Sequence, residues 1–188
     1  GGHIDVMADP QFIRQYSLCG DPADAQSYFI GVLREDEGRG GSLRIHQRLQ
    51  PGRTLLISRP RNHFPLVPEA TKSLLLAGGI GVTPMMSMAH ELHAQGKDFD
   101  FYYKSKTRAG AAFVDRLAVQ PWSDKVHFYP SDENRLDIST ILNDYADGNH
   151  LFTCGPVAFM DAVFETATTY GWPEEALHRE FFAAPEGL

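Results

Sequence analysis

Cysteine is scarce in this chain, which holds two among its 188 residues, Cys19 and Cys154. Two thiolates cannot ligate an iron–sulfur cluster or build a four-thiolate zinc site. One disulfide is conceivable, but nothing in the sequence argues for it, so a reducing, cytoplasmic setting is the expectation. Long apolar runs are lacking as well. The most apolar stretch, residues 74–82, is interrupted by Gly78, Gly79 and Gly81, and none approaches the roughly 20 residues of a membrane span. The N-terminus shows no basic segment followed by an apolar one, as a secretory signal would. Basic charge is in deficit: 17 Lys and Arg stand against 24 Asp and Glu, a net −7. That argues against a nucleic-acid binder, which needs a basic face for phosphates, and against a polybasic membrane-surface protein. No Ser–His–Asp or paired-carboxylate signature is visible, and no repeat or low-complexity run.

What is present is an ordinary globular composition, 43% hydrophobic and 22% charged. At roughly 150 residues per domain, the length allows one large domain or two small ones. The two halves differ in rhythm. Residues 3–66 carry short alternating stretches broken by Gly, Pro, Asp and Arg, such as 27–33 and 53–58, which read as an antiparallel barrel or sandwich. From about Thr71 strands alternate with helices. Strands are expected at 73–77, 99–104, 126–129, 151–153 and 177–181, and helices at 85–95, 111–118, 138–145 and 157–170. This pattern is that of an open parallel α/β sheet. Pro65 and Pro68 punctuate the change, so the expected division is 1–68 and 69–182. About sixty residues scarcely supply the strands of a closed barrel. Residues 2–6 look like the start of a strand, so the barrel is expected to be truncated on its N-terminal side.

The most informative segment is Leu74-Leu-Leu-Ala-Gly78-Gly79-Ile80-Gly81-Val82-Thr83-Pro84-Met85. An apolar strand runs into a glycine turn, and Thr83 as N-cap with Pro84 at the first position is expected to open a helix. Glycines let a ligand approach the backbone, and a helix N-terminus attracts anions. A tight strand–helix turn without a ligand would carry the same residues. The standard dinucleotide fingerprint fits badly: Pro84 stands where the third glycine belongs, and the second strand ends in Tyr102-Tyr103-Lys104 rather than an acid. Cys154-Gly155-Pro156 repeats the strand–turn–helix arrangement, and Cys154 there either packs against a flat ligand or is a small buried hydrophobe.

In the first half, Arg14-Gln-Tyr16-Ser17 offers a guanidinium fork, a flat ring and a hydroxyl. Gly38-Arg39-Gly40-Gly41-Ser42 reads as an anion nest or, alternatively, a glycine-rich hairpin tip. Lys104-Ser-Lys106-Thr-Arg108 is a solvated loop or a grip on the adenosine end of a dinucleotide.

Taken in order, Arg14-x-Tyr16-Ser17, Gly38 to Ser42, Arg61-Asn-His-Phe-Pro-Leu66, Gly78 to Met85, Cys154-Gly-Pro156 and Glu180-x-Phe182 resemble the ferredoxin–NADP reductase-like flavoproteins. The similarity is to the phthalate dioxygenase reductase and vanillate O-demethylase reductase type, and it covers nearly the whole chain. The resemblance implies a flavin-binding barrel followed by an NAD(P)-binding domain. It implies FMN rather than FAD, NADH with NADPH as the other candidate, and a [2Fe–2S] centre in the full-length protein only, with 183–188 as the start of a linker to it. Flavin contacts would come from Arg14, Tyr16, Ser17, Leu18, Val32, Leu33, Arg39, Gly40, Gly41, Ser42, Thr83 and Phe182. Dinucleotide contacts would come from Gly79, Ile80, Gly81, Pro84, Lys104, Cys154, Gly155, Pro156 and Met160. Thr83, Cys154 and Ser17 would frame the hydride step. The implied activity is that of the reductase of a Rieske-type oxygenase or O-demethylase system, taking hydride from NAD(P)H and passing single electrons to an iron–sulfur centre. A stand-alone flavin reductase and a non-catalytic flavin- or nucleotide-sensing domain are the other readings.

Overall fold

The apolar run before the glycine turn folds as the central strand of a five-stranded parallel sheet. The computed structural model describes residues 1–36 and 40–182, the side chain of Ala8 excepted. In the second half, β5 (Lys72–Gly78), β6 (Asp98–Ser105), β7 (Val126–Pro130), β8 (Asn149–Cys154) and β9 (Leu177–Glu180) align in the order β7-β6-β5-β8-β9, every neighbouring pair parallel. From Ser73 to Gly78 every residue of β5 is buried, as a strand covered on both faces requires. Helices α2 (Val82–Ala94), α3 (Val114–Ala118), α4 (Ile138–Leu142) and α5 (Val157–Thr169) connect the strands.

Strand alternation divides the core in two. Leu75, Phe99, Phe101 and Tyr103 pack with Met85, Met86, Leu92 and Trp122 on one face. Leu74, Leu76 and Leu151 pack with Met160, Val163, Leu142 and Trp172 on the other. The chain leaves β5 toward β6 and β7, then returns to place β8 on the opposite side of β5. The switch point therefore lies between the C-terminal ends of β5 and β8, where open α/β sheets bind their ligands.

In the first half, β1 (Gly2–Asp9) pairs antiparallel with β2 (Phe12–Ser17) along one edge and with β3 (Leu56–Ile57) and β4 (Arg61–Asn62) along the other. Within the described residues this sheet is open rather than a closed barrel. Cys19 and Phe64 reach into the core beside α2, and the Phe64 ring stands at 5.8 Å from that of Phe152 on β8.

Four local expectations need correction. Residues 41–48 form a helix, α1 (Gly41–Arg48), launched from Gly40 in the left-handed region at φ 81°, whereas the sequence suggested only a glycine-rich loop. Thr83 is not an N-cap. A 3-10 turn over Gly79–Gly81 runs straight into α2, and the Thr83 hydroxyl donates to the Ile80 carbonyl at 3.1 Å. Pro84 still sits in the first turn, where its missing N–H goes unnoticed. The helix expected at 111–118 begins only at Val114, because Phe113 is left-handed at φ 64° and the Ala112 carbonyl accepts from the Tyr103 hydroxyl. The helix expected at 138–145 stops at Leu142, and its start is capped by Asp137, which accepts from Ser139 N.

The glycines matter most where the two β–α turns cross. A Cβ on Gly81 would stand 2.1 Å from the Cys154 carbonyl oxygen, and one on Gly155 would stand 2.8 Å from the Gly78 carbonyl oxygen. Gly81→Ala is therefore expected to cost about 1–3 kcal/mol, lowering Tm by about 2–10 °C in a chain of this size. Gly2→Ala, whose Cβ would find its nearest neighbour at 3.8 Å, serves as the near-neutral control. Equal melting temperatures for the two variants in calorimetry would remove the crossing as a structural constraint.

Candidate functional site

A cavity of about 430 Å³ opens where the antiparallel sheet meets the C-terminal edge of the parallel one, within the size range of small-molecule sites. Both halves line it. Arg14, Tyr16 and Ser17 come from β2, Gly41 and Ser42 from the start of α1, and Ile80 and Thr83 from the glycine turn and α2. Glu180, Phe181 and Phe182 come from the end of β9 and beyond. A larger cavity of about 540 Å³ lies between residues 18–29, 60–70 and α2. Arg14, Ser17, Thr83 and Glu180 border the smaller cavity and not the larger one, so the polar groups of the two halves converge on the smaller.

Ser17 and Glu180 join the halves directly. The Ser17 hydroxyl donates to Glu180 Oε1 at 3.2 Å across 163 residues of chain. Burial pushes the Glu180 carboxyl up, while Ser17 and nearby positive groups pull it back. Elsewhere in the lining, the Arg14 side chain lies against the first turn of α1. Gly41 is buried, and a Cβ there would stand 2.6 Å from Arg14 Nε, so only glycine lets the guanidinium lie along the helix start. No acidic residue stands in that first turn, though Glu35 borders the same cavity. Ser42 Oγ accepts from Glu35 N at 3.1 Å, which ties the preceding loop to the start of α1.

At the switch point, Cys154 is fully buried beneath Gly81. Burial, with Glu180 adding to it, pushes its thiol far up. Burial also raises Cys19, to about 11. A thiol so held is a neutral packing group rather than a nucleophile, since nucleophilic attack requires the thiolate.

Of the residues singled out from sequence, Arg14, Tyr16, Ser17, Leu33, Gly41, Ser42, Ile80, Thr83 and Phe182 line the cavity. Gly79, Gly81, Cys154, Gly155 and Pro156 lie in or beside the crossing of the turns, and Gly40 is the N-cap of α1. Pro84 is buried in the first turn of α2. The others fall elsewhere. Leu18 borders the larger cavity. Val32 offers its carbonyl to His46 Nε2 at 2.9 Å and is not among the residues around the cavity. Met160 is fully buried in the core beneath α5. Lys104, at the tip of β6, holds its ammonium 5.7 Å from the centre of the Phe159 ring. Gly38, Arg39 and residues 183–188 lie outside the described residues.

Sequence reasoning missed His3, Gln15, Gly31, Glu35 and Arg179, which also line the cavity, and gave His63 and Glu180 motif positions but no role. The signal for His3 was the Pro10-Gln11 turn. A hairpin closed there pairs His3 with Ser17, yet strand pairing cannot be read from composition.

Comparison with known proteins gives the family and the fold. The family model for the dimethylamine monooxygenase subunit DmmA-like, N-terminal domain, matches residues 54–177. A vanillate O-demethylase oxidoreductase of Pseudomonas putida is 45% identical over 98% of this chain and 59% of its own length. The phthalate dioxygenase reductase of Burkholderia cepacia is 38% identical over 98% of this chain and 58% of its own length. A phthalate dioxygenase reductase structure, described as modular for electron transfer from pyridine nucleotides to [2Fe–2S], superimposes with a TM-score of 0.90 at 35% identity over all of this chain and 59% of that one. An intact type IV self-sufficient cytochrome P450 monooxygenase superimposes with a TM-score of 0.91 at 41% identity, with this chain covering 24% of it. The chain thus spans about three fifths of the length of the curated relatives it matches. Among the described residues no helix is long and apolar enough to cross a membrane.

The raised thiols give a direct check. At pH 8 the folded chain is expected to show no fast-reacting thiol with a disulfide reagent such as DTNB, and both in denaturant. Reactivity should rise only as the pH nears the value of about 11 held by Cys19. A rapidly labelled Cys154 at pH 8 would contradict its assignment as a packing group.

Proposed function

The chain belongs to the family of dimethylamine monooxygenase subunit DmmA-like N-terminal domains, and from that premise we propose that it is the flavin- and nicotinamide-binding part of an NAD(P)H-dependent electron-transfer reductase. The observation that carries the reading is the cavity itself. Arg14 and the first turn of α1 line it together with Tyr16, Thr83 and the Ser17–Glu180 pair, and Ile80 brings the glycine turn to its wall. A flavin mononucleotide matches those features: one phosphate for Arg14 and the α1 start, and a flat ring along Tyr16 toward Ser17. The crossing, with Thr83 beside it, is the place for the nicotinamide, and Phe181 and Phe182 border the same opening.

When bound, the flavin supplies the redox chemistry, accepting two electrons as hydride from a reduced nicotinamide and passing them on singly. The protein contributes position. Arg14 and the α1 amides hold the phosphate, Tyr16 fixes the ring plane, and the backbone at Gly79–Gly81 allows a second ring close approach. Ser17, held by Glu180, presents an oriented hydroxyl at the inner end of the cavity. Holding two rings in register is an orientation effect that needs no general acid–base pair.

NADH is the favoured donor. Arg108 is already committed to Glu133 through two hydrogen bonds of 2.7 and 2.8 Å, and Lys104 lies over Phe159. Of the three basic residues in the cluster, two are thus engaged within the chain, and the exposed Lys106 is the third. The acceptor is an iron–sulfur centre that feeds a terminal oxygenase or O-demethylase. The two cysteines of this chain cannot ligate such a cluster, so the centre lies outside these residues.

The chain is expected to bind FMN with quenching of its fluorescence, and NADH should bleach the bound flavin faster than NADPH does. Arg14→Ala should weaken FMN about tenfold or more, as loss of a charge-assisted contact implies, and should affect riboflavin little. An unchanged FMN affinity in that variant would remove the phosphate assignment. Flavin bound but reduced by neither nicotinamide would favour a sensing domain instead.

A further inference from the structure

Phe113 ends the loop after β6 in the left-handed region, at φ 64° and ψ 13°. Every other described residue with a positive φ is a glycine. A side chain in that region crowds its own carbonyl, a cost that glycine avoids. If the chain only had to turn there, glycine would serve better, so the ring has to contribute something that offsets the strain. Its surroundings show what. The hydroxyl of the buried Tyr103 donates to the Ala112 carbonyl at 3.1 Å and pins the chain just before Phe113. The Phe113 carbonyl accepts from Leu117 N at 2.8 Å and pins it just after. Held on both sides, the half-buried ring turns its edge to Gly31 and the Thr83 methyl. A Cβ on Gly31 would stand 2.8 Å from Thr83 Cγ2, 2.9 Å from Phe113 Cε2 and 3.0 Å from Phe113 Cζ. Gly31 and Thr83 come from different halves of the chain and both line the cavity, whereas Phe113 is not among the lining residues. It stands behind the wall. The Thr83 hydroxyl is tied to the Ile80 carbonyl at 3.1 Å, so the tie and the ring hold the two arms of a side chain that is 2% exposed.

We infer that Phe113 is a positioning residue of the candidate site: strained into place, its ring buttresses Gly31 and Thr83 and so sets the spacing of the two halves at that wall of the cavity. Where it concerns rate, the inference rests on the flavin reading. Two rings exchange a hydride only when held in register, and a misplacement of about 1 Å can cost about a hundredfold. A wall that drifts in this way leaves the grip on the phosphate and on the dinucleotide in place, because those contacts lie elsewhere in the lining.

Variants of the 188-residue chain test it. Phe113→Gly keeps the turn without strain and removes the ring. It is expected to bind FMN, and to reach half-maximal reduction by NADH, within about threefold of the wild type, while the limiting rate of flavin reduction in stopped flow falls about tenfold. Phe113→Leu, apolar and bulky enough to reach the same wall, should recover that rate to within about threefold. A second readout needs no flavin. In methyl NMR of the ligand-free chain, the Thr83 methyl should show a cross-relaxation contact with the Phe113 ring, and its order parameter should fall in Phe113→Gly. If the glycine variant does not fold, Gly31→Ala presses on the same contact from the other side; it should slow the limiting rate, and adding Phe113→Leu should relieve it. An unchanged limiting rate in Phe113→Gly, a loss that lies wholly in FMN affinity, or a leucine variant as slow as the glycine one overturns the inference. A folded wild-type chain that takes up neither FMN nor FAD overturns the flavin reading alone. The Thr83 methyl then decides the buttress by itself, an unchanged order parameter in Phe113→Gly overturning it.

Discussion

Two β–α turns pass each other at the C-terminal edge of the parallel sheet with no room for a side chain between their backbones. The Cys154 carbonyl occupies the place a Gly81 side chain would need, and Gly155 lies as tightly under Gly78. This contact brings the ends of β5 and β8 together at the topological switch point and exposes bare backbone where a flat ligand can approach. It also seals Cys154 below the surface. A side chain on either glycine would force the two backbones apart.

The second constraint is that the cavity belongs to neither half. The first half supplies Arg14, Ser17 and the start of α1, and the second supplies Thr83 of α2 and Glu180 of β9. A hydrogen bond between Ser17 and Glu180 fixes the distance between them. Phe64 packed against Phe152 and Cys19 buried beside α2 give that bond a rigid frame, since a single hydrogen bond contributes only about 1 kcal/mol net. Apolar contact carries the load, and the polar pair sets the alignment.

The parallel domain was largely legible because its signals are local. The run of leucines in β5 marks a strand buried on both faces, and the glycine turn ends it. Each later strand was placed to within a residue or two at its ends. Helix ends were harder, because they depend on contacts made elsewhere. Nothing near Ala112 announces that its carbonyl is taken by the hydroxyl of Tyr103, and this holds the chain out of helix until Val114. Helix α1 was hidden for another reason: two glycines and a serine read as a loop, and only the left-handed turn at Gly40 makes them a helix start. Met160 and Leu18 show the limit of motif reading. Both lie next to residues at the crossing or in the cavity, yet their side chains go to the core beneath α5 and to the larger cavity. Adjacency in sequence does not decide the face of an element.

The chemistry the protein withholds is as informative as what it offers. A nucleophile would need a thiolate, and burial keeps Cys154 a thiol. Of the two carboxyls that border the cavity, Glu180 is pushed up by burial while Ser17 occupies one of its oxygens, and Glu35 is exposed to solvent. The groups bordering the cavity are thus suited to holding a flat, polar-edged molecule still and dry, not to attacking it. A site of that kind makes sense only where the reactivity arrives with the ligand. That is the physical reason for reading two stacked redox rings, rather than an acid–base mechanism, into the junction of the two sheets.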